Sequence, residues 1–128
     1  MRRYRGSCHC GQIAFEVDGV LDRVTICNCS ICSKKGYLHW VVQWAQFRLL
    51  SPIESLKTYC FNTGEAKHHF CPKCGAAPFH IPRAHPDSVD INVRCLEGVS
   101  HAGLVVEYFD GCNWEHSVEE TRARATQS

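Results

Sequence analysis

The chain has 128 residues, ten of them cysteine, and sets 14 Lys plus Arg against 13 Asp plus Glu. A formal charge of +1 argues against bulk electrostatic binding to nucleic acid or an anionic membrane, and no apolar run approaches transmembrane length. The length suits one domain with a modest core, small enough for a metal staple to matter.

Residues 2 to 18 read as a hairpin. Ile13, Phe15 and Val17 alternate with Gln12, Glu16 and Asp18, the period-two pattern of a half-buried strand. Cys8 and Cys10 are spaced to share one face of extended chain, and Gly11 allows a tight turn after them. Val24-Thr25-Ile26 leads as a short strand into Cys27-Asn28-Cys29-Ser30-Ile31-Cys32, where Ser30 is the expected cap of a short helix ended by Gly36. Tyr37 to Trp44 is rich in aromatic and β-branched residues and reads as a strand, as do Phe47 to Leu50 and Glu54 to Phe61. Asn62-Thr63-Gly64 signals a turn before Ala66 to Phe70 and the knuckle Cys71-Pro72-Lys73-Cys74-Gly75. Pro78 to Pro82 is expected at a sheet edge, because both prolines lack ladder donors. A turn at His85-Pro86-Asp87 precedes alternating Val89, Ile91 and Val93, and Leu104 to Phe109 suggests a last strand. The expectation is a mainly β domain over residues 1–116, with two small sheets, followed by a loose polar tail at 117–128.

Ten cysteines fit either a disulfide framework or a metal protein. The basic start Met1-Arg2-Arg3 lacks the apolar core of a signal peptide, so a cytoplasmic location is expected and metal ligation is favoured. Zinc is the preferred thiolate metal, ahead of an iron–sulfur cluster. Seven clustered thiols divide into four for a closed structural site and three for an open one. Cys8 and Cys10 with Cys71 and Cys74 best build the closed site, although spacing also allows Cys71 and Cys74 to join two central thiols. Cys27, Cys29 and Cys32 would hold the second ion, with the fourth position either open or filled by a residue such as a histidine. Three thiolates and one zinc carry a net charge of −1, which favours binding a further soft thiol over generating hydroxide. Lys34 and Lys35 are candidates to offset the charge of that fourth thiolate, against a plain reading as solvated lysines.

The ordered stretches Gly6-Ser7-Cys8-His9-Cys10-Gly11, Cys27-Asn28-Cys29-Ser30-Ile31-Cys32 with Lys34 and Gly36, Phe70-Cys71-Pro72-Lys73-Cys74-Gly75 and Ile91-Asn92-Val93-Arg94-Cys95-Leu96 resemble the glutathione-dependent formaldehyde-activating enzyme and centromere protein V family. The resemblance runs over about residues 4 to 110. It implies the zinc-binding β-tent fold of two short antiparallel sheets, with two zinc ions per chain. Structural zinc would lie on Cys8, Cys10, Cys71 and Cys74, and catalytic zinc on Cys27, Cys29 and Cys32. It also implies a carbon–sulfur lyase of the S-(hydroxymethyl)glutathione synthase type, joining a small thiol and an aldehyde.

Outside these clusters, His9 reads as exposed, and His39, His68, His69 and His80 as ordinary packed or surface residues, each able to approach a metal. Asn92 and Arg94 are candidates for an anionic substrate group, weighed against a structural role. Cys60, Cys95 and Cys112 are expected as buried small hydrophobes, and Trp40, Trp44 and Trp114 as core or pocket wall. Two further readings stand beside the enzyme. One is a zinc module that binds a protein or, less readily, nucleic acid; the other is a single-zinc protein with redox-active central cysteines.

Overall fold

The computed structural model describes residues 2–61, 64, 66–82, 87–100 and 102–113. The expected turns at Asn62-Thr63 and His85-Pro86, Trp114 and the tail at 117–128 lie outside the described residues.

Strand β1 (Arg2–Ser7) and strand β2 (Ala14–Gly19) form the opening hairpin, paired from Arg2 opposite Gly19 to Ser7 opposite Ala14. Alternation buries Tyr4, Phe15 and Val17 on one side. Two other short strands in chain order are β3 (Arg23–Cys27) and β4 (His39–Gln43), with helix α1 (Ser30–Lys35) between them. Strand β5 (Phe47–Leu49) then adds to β2 and completes a three-stranded sheet. Its solvent side is laced by Asp18 on β2, which accepts from Arg3 of β1 at 3.0 Å and Arg48 of β5 at 3.1 Å.

The second sheet takes β3, β4 and five later strands: β6 (Lys57–Tyr59), β7 (Lys67–Phe70), β8 (Phe79–Ile81), β9 (Ser88–Asn92) and β10 (Val105–Phe109). Their order is β10-β3-β4-β9-β8-β7-β6. The architecture is thus mainly β with two sheets, as expected, but the second has seven strands and one parallel pair, β10 along β3. A parallel pair cannot be joined by a tight hairpin, and here β4 to β9 all intervene in sequence between β3 and β10.

Strand β8 is interior, not the edge that its flanking prolines suggested, and pairs with both β7 and β9. Pro78 and Pro82 stand just outside Phe79–Ile81, so every ladder donor within the strand survives. One face of the large sheet is apolar: Trp40, Val42, Phe79, Val89 and Ile91 are buried with Phe15 and Phe47 of the small sheet. Phe79 ties the two sheets, with ring centroids 4.8 Å from Phe47 and 6.2 Å from Phe15, and Tyr4 meets Trp40 edge-on at 5.5 Å. The register puts His39, Asp90, His80 and His68 on the opposite face.

Candidate metal centres

The four-thiol cluster is assembled from two similar turns. After β1, the Cys8 N–H donates to Ile13 O at 3.0 Å, while the Ile13 N–H donates to Cys8 Sγ at 3.3 Å. After β7, the Cys71 N–H donates to Ala76 O at 2.9 Å and the Cys74 N–H to Cys71 Sγ at 3.5 Å. Gly11 and Gly75 take left-handed backbone, φ 83° and 82°, where a side chain would be strained. Sγ of Cys10 lies 3.6 Å from that of Cys8 and 3.7 Å from that of Cys71, and all four ligand atoms fall within 4.8 Å of one another. Sulfurs about 2.3 Å from a tetrahedral ion are separated by about 3.8 Å, so the donor set fits such an ion. The Ala76 N–H directed at Cys74 brings that thiol down to about 6, toward the ligating thiolate.

The three-thiol cluster comes from a single segment. Cys27 ends β3, Cys29 caps α1 and Cys32 lies buried in its first turn. The expected cap, Ser30, is the first helical residue instead; Cys29 Sγ accepts the Cys32 N–H at 3.4 Å and does the capping. Gly36 closes the helix in left-handed backbone as expected, with φ 64°. The sulfurs of Cys27, Cys29 and Cys32 all lie within 4.8 Å. Hydrogen bonds from Cys27 and Cys32 drive the Cys29 thiol strongly down, and contact with Cys27 and Cys29 drives Cys32 strongly up. The three therefore share protons, and a cation among them is what allows all three to ionise. This donor set too fits a metal.

The segment after β10 walls the cluster, and nothing in its sequence spacing signalled this. A Cβ at Gly111 would lie 2.5 Å from Cys27 Sγ and 2.6 Å from the Cys29 Cβ, so the backbone there can approach only as glycine. Asn28 fastens the segment: its Nδ2 donates to Asp110 at 3.0 Å and its Oδ1 accepts the Cys112 N–H at 3.1 Å.

On the helix side, Lys34 is exposed and Lys35 half-buried. Burial lowers the Lys35 ammonium, while the charges of Cys32, Asp90 and Cys29 act to raise it. Its Nζ sits 5.1 Å from the centroid of the buried Tyr37 ring. Tyr37 covers His39 and His80, with centroids 4.7 and 5.1 Å away, and donates its hydroxyl to Asp90 O at 3.2 Å. His68 stacks on His80 at 4.9 Å, and burial takes both imidazoles down to about 4. His39 and His80, read from sequence as ordinary histidines, thus share a buried site with Asp90.

The remaining residues sort by contact. His9 is exposed, His69 half-buried, and Trp40 is core, whereas Trp44 is 46% exposed. Asn92 caps the 3-10 turn at Val93–Cys95 and donates to Ala77 O, while Arg94 Nε donates to Gly36 O at 3.1 Å; both have structural partners. Cys60 and Cys112 are exposed, which corrects the expectation that they are buried. Cys60 lies just beyond the exposed strand β6, and Cys112 in the surface turn that holds Asn28, its Sγ donating to Asn28 O at 3.2 Å. Cys95 is half-buried, and burial raises its thiol to about 11. All ten cysteines are free.

Two packed β layers and two thiol clusters, each suited to a metal ion, define a small cysteine-site protein, with four thiols in one cluster and three in the other among the described residues. The sequence profile of the family described as glutathione-dependent formaldehyde-activating enzyme matches residues 3–110, and the chain belongs to that family. The chain is also similar to a Rhodobacter sphaeroides protein whose crystal structure was a structural-genomics target. They share 35% identity with a TM-score of 0.72, over 81% of this chain and 98% of that one. Family membership supports glutathione-dependent formaldehyde activation as the general activity. Among the described residues, no helix is long and apolar enough to cross a membrane.

Proposed function

We propose that this protein is a zinc-dependent carbon–sulfur lyase of the S-(hydroxymethyl)glutathione synthase type, joining a glutathione-like thiol to formaldehyde or a similar aldehyde and catalysing the reverse cleavage. The observation that carries the reading is the contrast in ligand number among the described residues: four thiols at one cluster, three at the other. Cys8, Cys10, Cys71 and Cys74 would hold a structural zinc. Cys27, Cys29 and Cys32 would hold a second zinc, which supplies a site where an incoming thiol can bind as thiolate.

The chain's own residues define the rest of the chemistry. Cys29 Sγ is fixed by the Cys32 N–H, and Gly111 presses its backbone against Cys27 and Cys29, so the donors are held before substrate arrives. Lys35 is the nearby ammonium whose charge interacts with Cys32 and Cys29, and it offsets the extra negative charge of a fourth thiolate. His68, neutral at pH 7 because burial depresses it, and the ring of Tyr37 make that side of the site aromatic and weakly hydrated. The ten free thiols suit a reducing, cytoplasmic setting.

The experiment is metal analysis with titration of the cobalt-substituted protein by glutathione. Two metal ions in the cysteine sites and a thiolate-to-cobalt charge-transfer band that changes with glutathione are expected. An unchanged band at millimolar glutathione, with both sites filled, would refute thiol activation.

A further inference from the structure

We propose that His39, His80 and Asp90 form a third metal site, separate from both cysteine clusters, that binds a divalent cation of the zinc or iron(II) kind through two imidazoles and a carboxylate. These residues lie on three neighbouring strands, β4, β8 and β9. Asp90 stands opposite His80 on one side and Val41 on the other, which puts His39, two residues from Val41, on the same face. Asp90 Oδ2 is 2.8 Å from His39 Nδ1 and 3.5 Å from His80 Nε2, and the three ligand atoms lie within 4.8 Å of one another. Donors bound at 2.0–2.1 Å around a tetrahedral ion are about 3.3 Å apart, a separation these two distances bracket. Two imidazoles and one carboxylate also form a donor set that suits borderline divalent metals and differs from the all-thiolate clusters.

Burial and charge favour an ion over a purely hydrogen-bonded triad. The residues are only 6%, 5% and 4% exposed. Among the described residues, the Asp90 carboxylate makes ion pairs only with the two imidazoles, with the Lys35 ammonium acting on it through charge alone, and a buried anion without a full counter-charge in contact is unfavourable. Asp90 Oδ1 is, among the described residues, buried without a hydrogen-bond partner, as are His39 Nε2 and His80 Nδ1, the ring nitrogens not paired with the carboxylate. A network kept for structure alone is expected to close Asp90 Oδ1, which is instead available as a second carboxylate ligand. The rings are already held: Tyr37 packs on both imidazoles and His68 stacks on His80.

The test is cobalt(II) titration of the metal-stripped full chain, which refolds as its four-thiol cluster loads, followed by elemental analysis. After the two charge-transfer-active thiolate equivalents, a third equivalent should bring weak d–d bands without sulfur-to-cobalt charge transfer. D90N and H80Q should lose that equivalent alone and keep the thiolate bands. Saturation at two equivalents, or a third equivalent retained in D90N, overturns the site. If either variant fails to fold, the wild-type titration decides, because the third equivalent must appear there without a sulfur signature. Glutathione acts only on the thiolate band, so this result and the proposed thiol chemistry stand or fall separately.

Discussion

The two cysteine clusters offer the same donor atom from opposite chain topologies. At the four-thiol cluster, Cys10 and Cys71 bring their sulfurs to 3.7 Å across 61 positions of chain, so any ion bound there ties the hairpin turn to the turn after β7. At the three-thiol cluster, all donors come from one six-residue segment, and an ion there closes almost no loop. Loop closure in the unfolded chain is what makes a cross-link stabilising, and metal binding at a site absent from the unfolded chain is itself folding free energy. The first cluster should therefore control whether the chain folds, and the second what the folded chain does.

Breaking the first cluster should have the largest effect. C71S is expected to abolish the cooperative melt seen by circular dichroism, because structural zinc sites contribute about 10–16 kcal/mol against a typical total stability of about 5–15 kcal/mol. C32S should leave the melt in place, remove one equivalent of metal and reduce glutathione–formaldehyde turnover by more than the roughly 10–100-fold cost of losing an outer-shell partner. Equal loss of folding in the two variants would erase the distinction drawn above.

Two smaller effects sharpen it. G111A puts a methyl group on Cys27 and Cys29, and overpacking of this kind costs about 1–3 kcal/mol. Cobalt affinity at the three-thiol cluster should fall while the four-thiol bands stay unchanged in the same titration. The smallest effect belongs to neither cluster. Hydrogen bonds from Arg3 and Arg48 hold the Asp18 carboxyl down at about 2. Because its folded value is depressed, the stabilisation is fully present above the ordinary value near 4 and is lost as pH falls through about 2. Wild type should lose a little more thermal stability than D18N between pH 4 and pH 2, with metal content at neutral pH the same in both.

Much of this was legible in the residues, and the failures have physical causes. The hairpin and β9 were clear because Phe15 and Val17, or Val89 and Ile91, alternate against polar neighbours. The thiol pairs and the central trio were legible because CxC and CxxC spacings place donors together without reference to the rest of the fold, whereas the meeting of Cys8 and Cys10 with Cys71 and Cys74 depends on tertiary structure. Three other features depended on tertiary pairing. Strand β8 looked like an edge because the prolines were weighed without knowing that they fall outside the ladder. The helix cap went to Cys29 over Ser30, since a sulfur already drawn into the cluster also faces the Cys32 N–H. Asp90, between two buried aliphatics, drew no reading from the sequence, because its burial depends on the packing of Tyr37, whose hydroxyl donates to its backbone carbonyl. The one available signal was that His39 and His80 each fall in a strand of otherwise mostly apolar residues, a pattern typical of strands buried on both faces.

The Gly111 wall has a consequence in time. The Cys27–Cys32 segment is translated about eighty residues before Gly111, and at about 5–20 residues per second that interval is roughly 4–16 s. The growing chain thus carries three adjacent bare thiols for seconds before their covering backbone exists. During that interval the segment is open to metal ions and oxidants alike, whereas the four-thiol cluster cannot form before Cys74 has emerged.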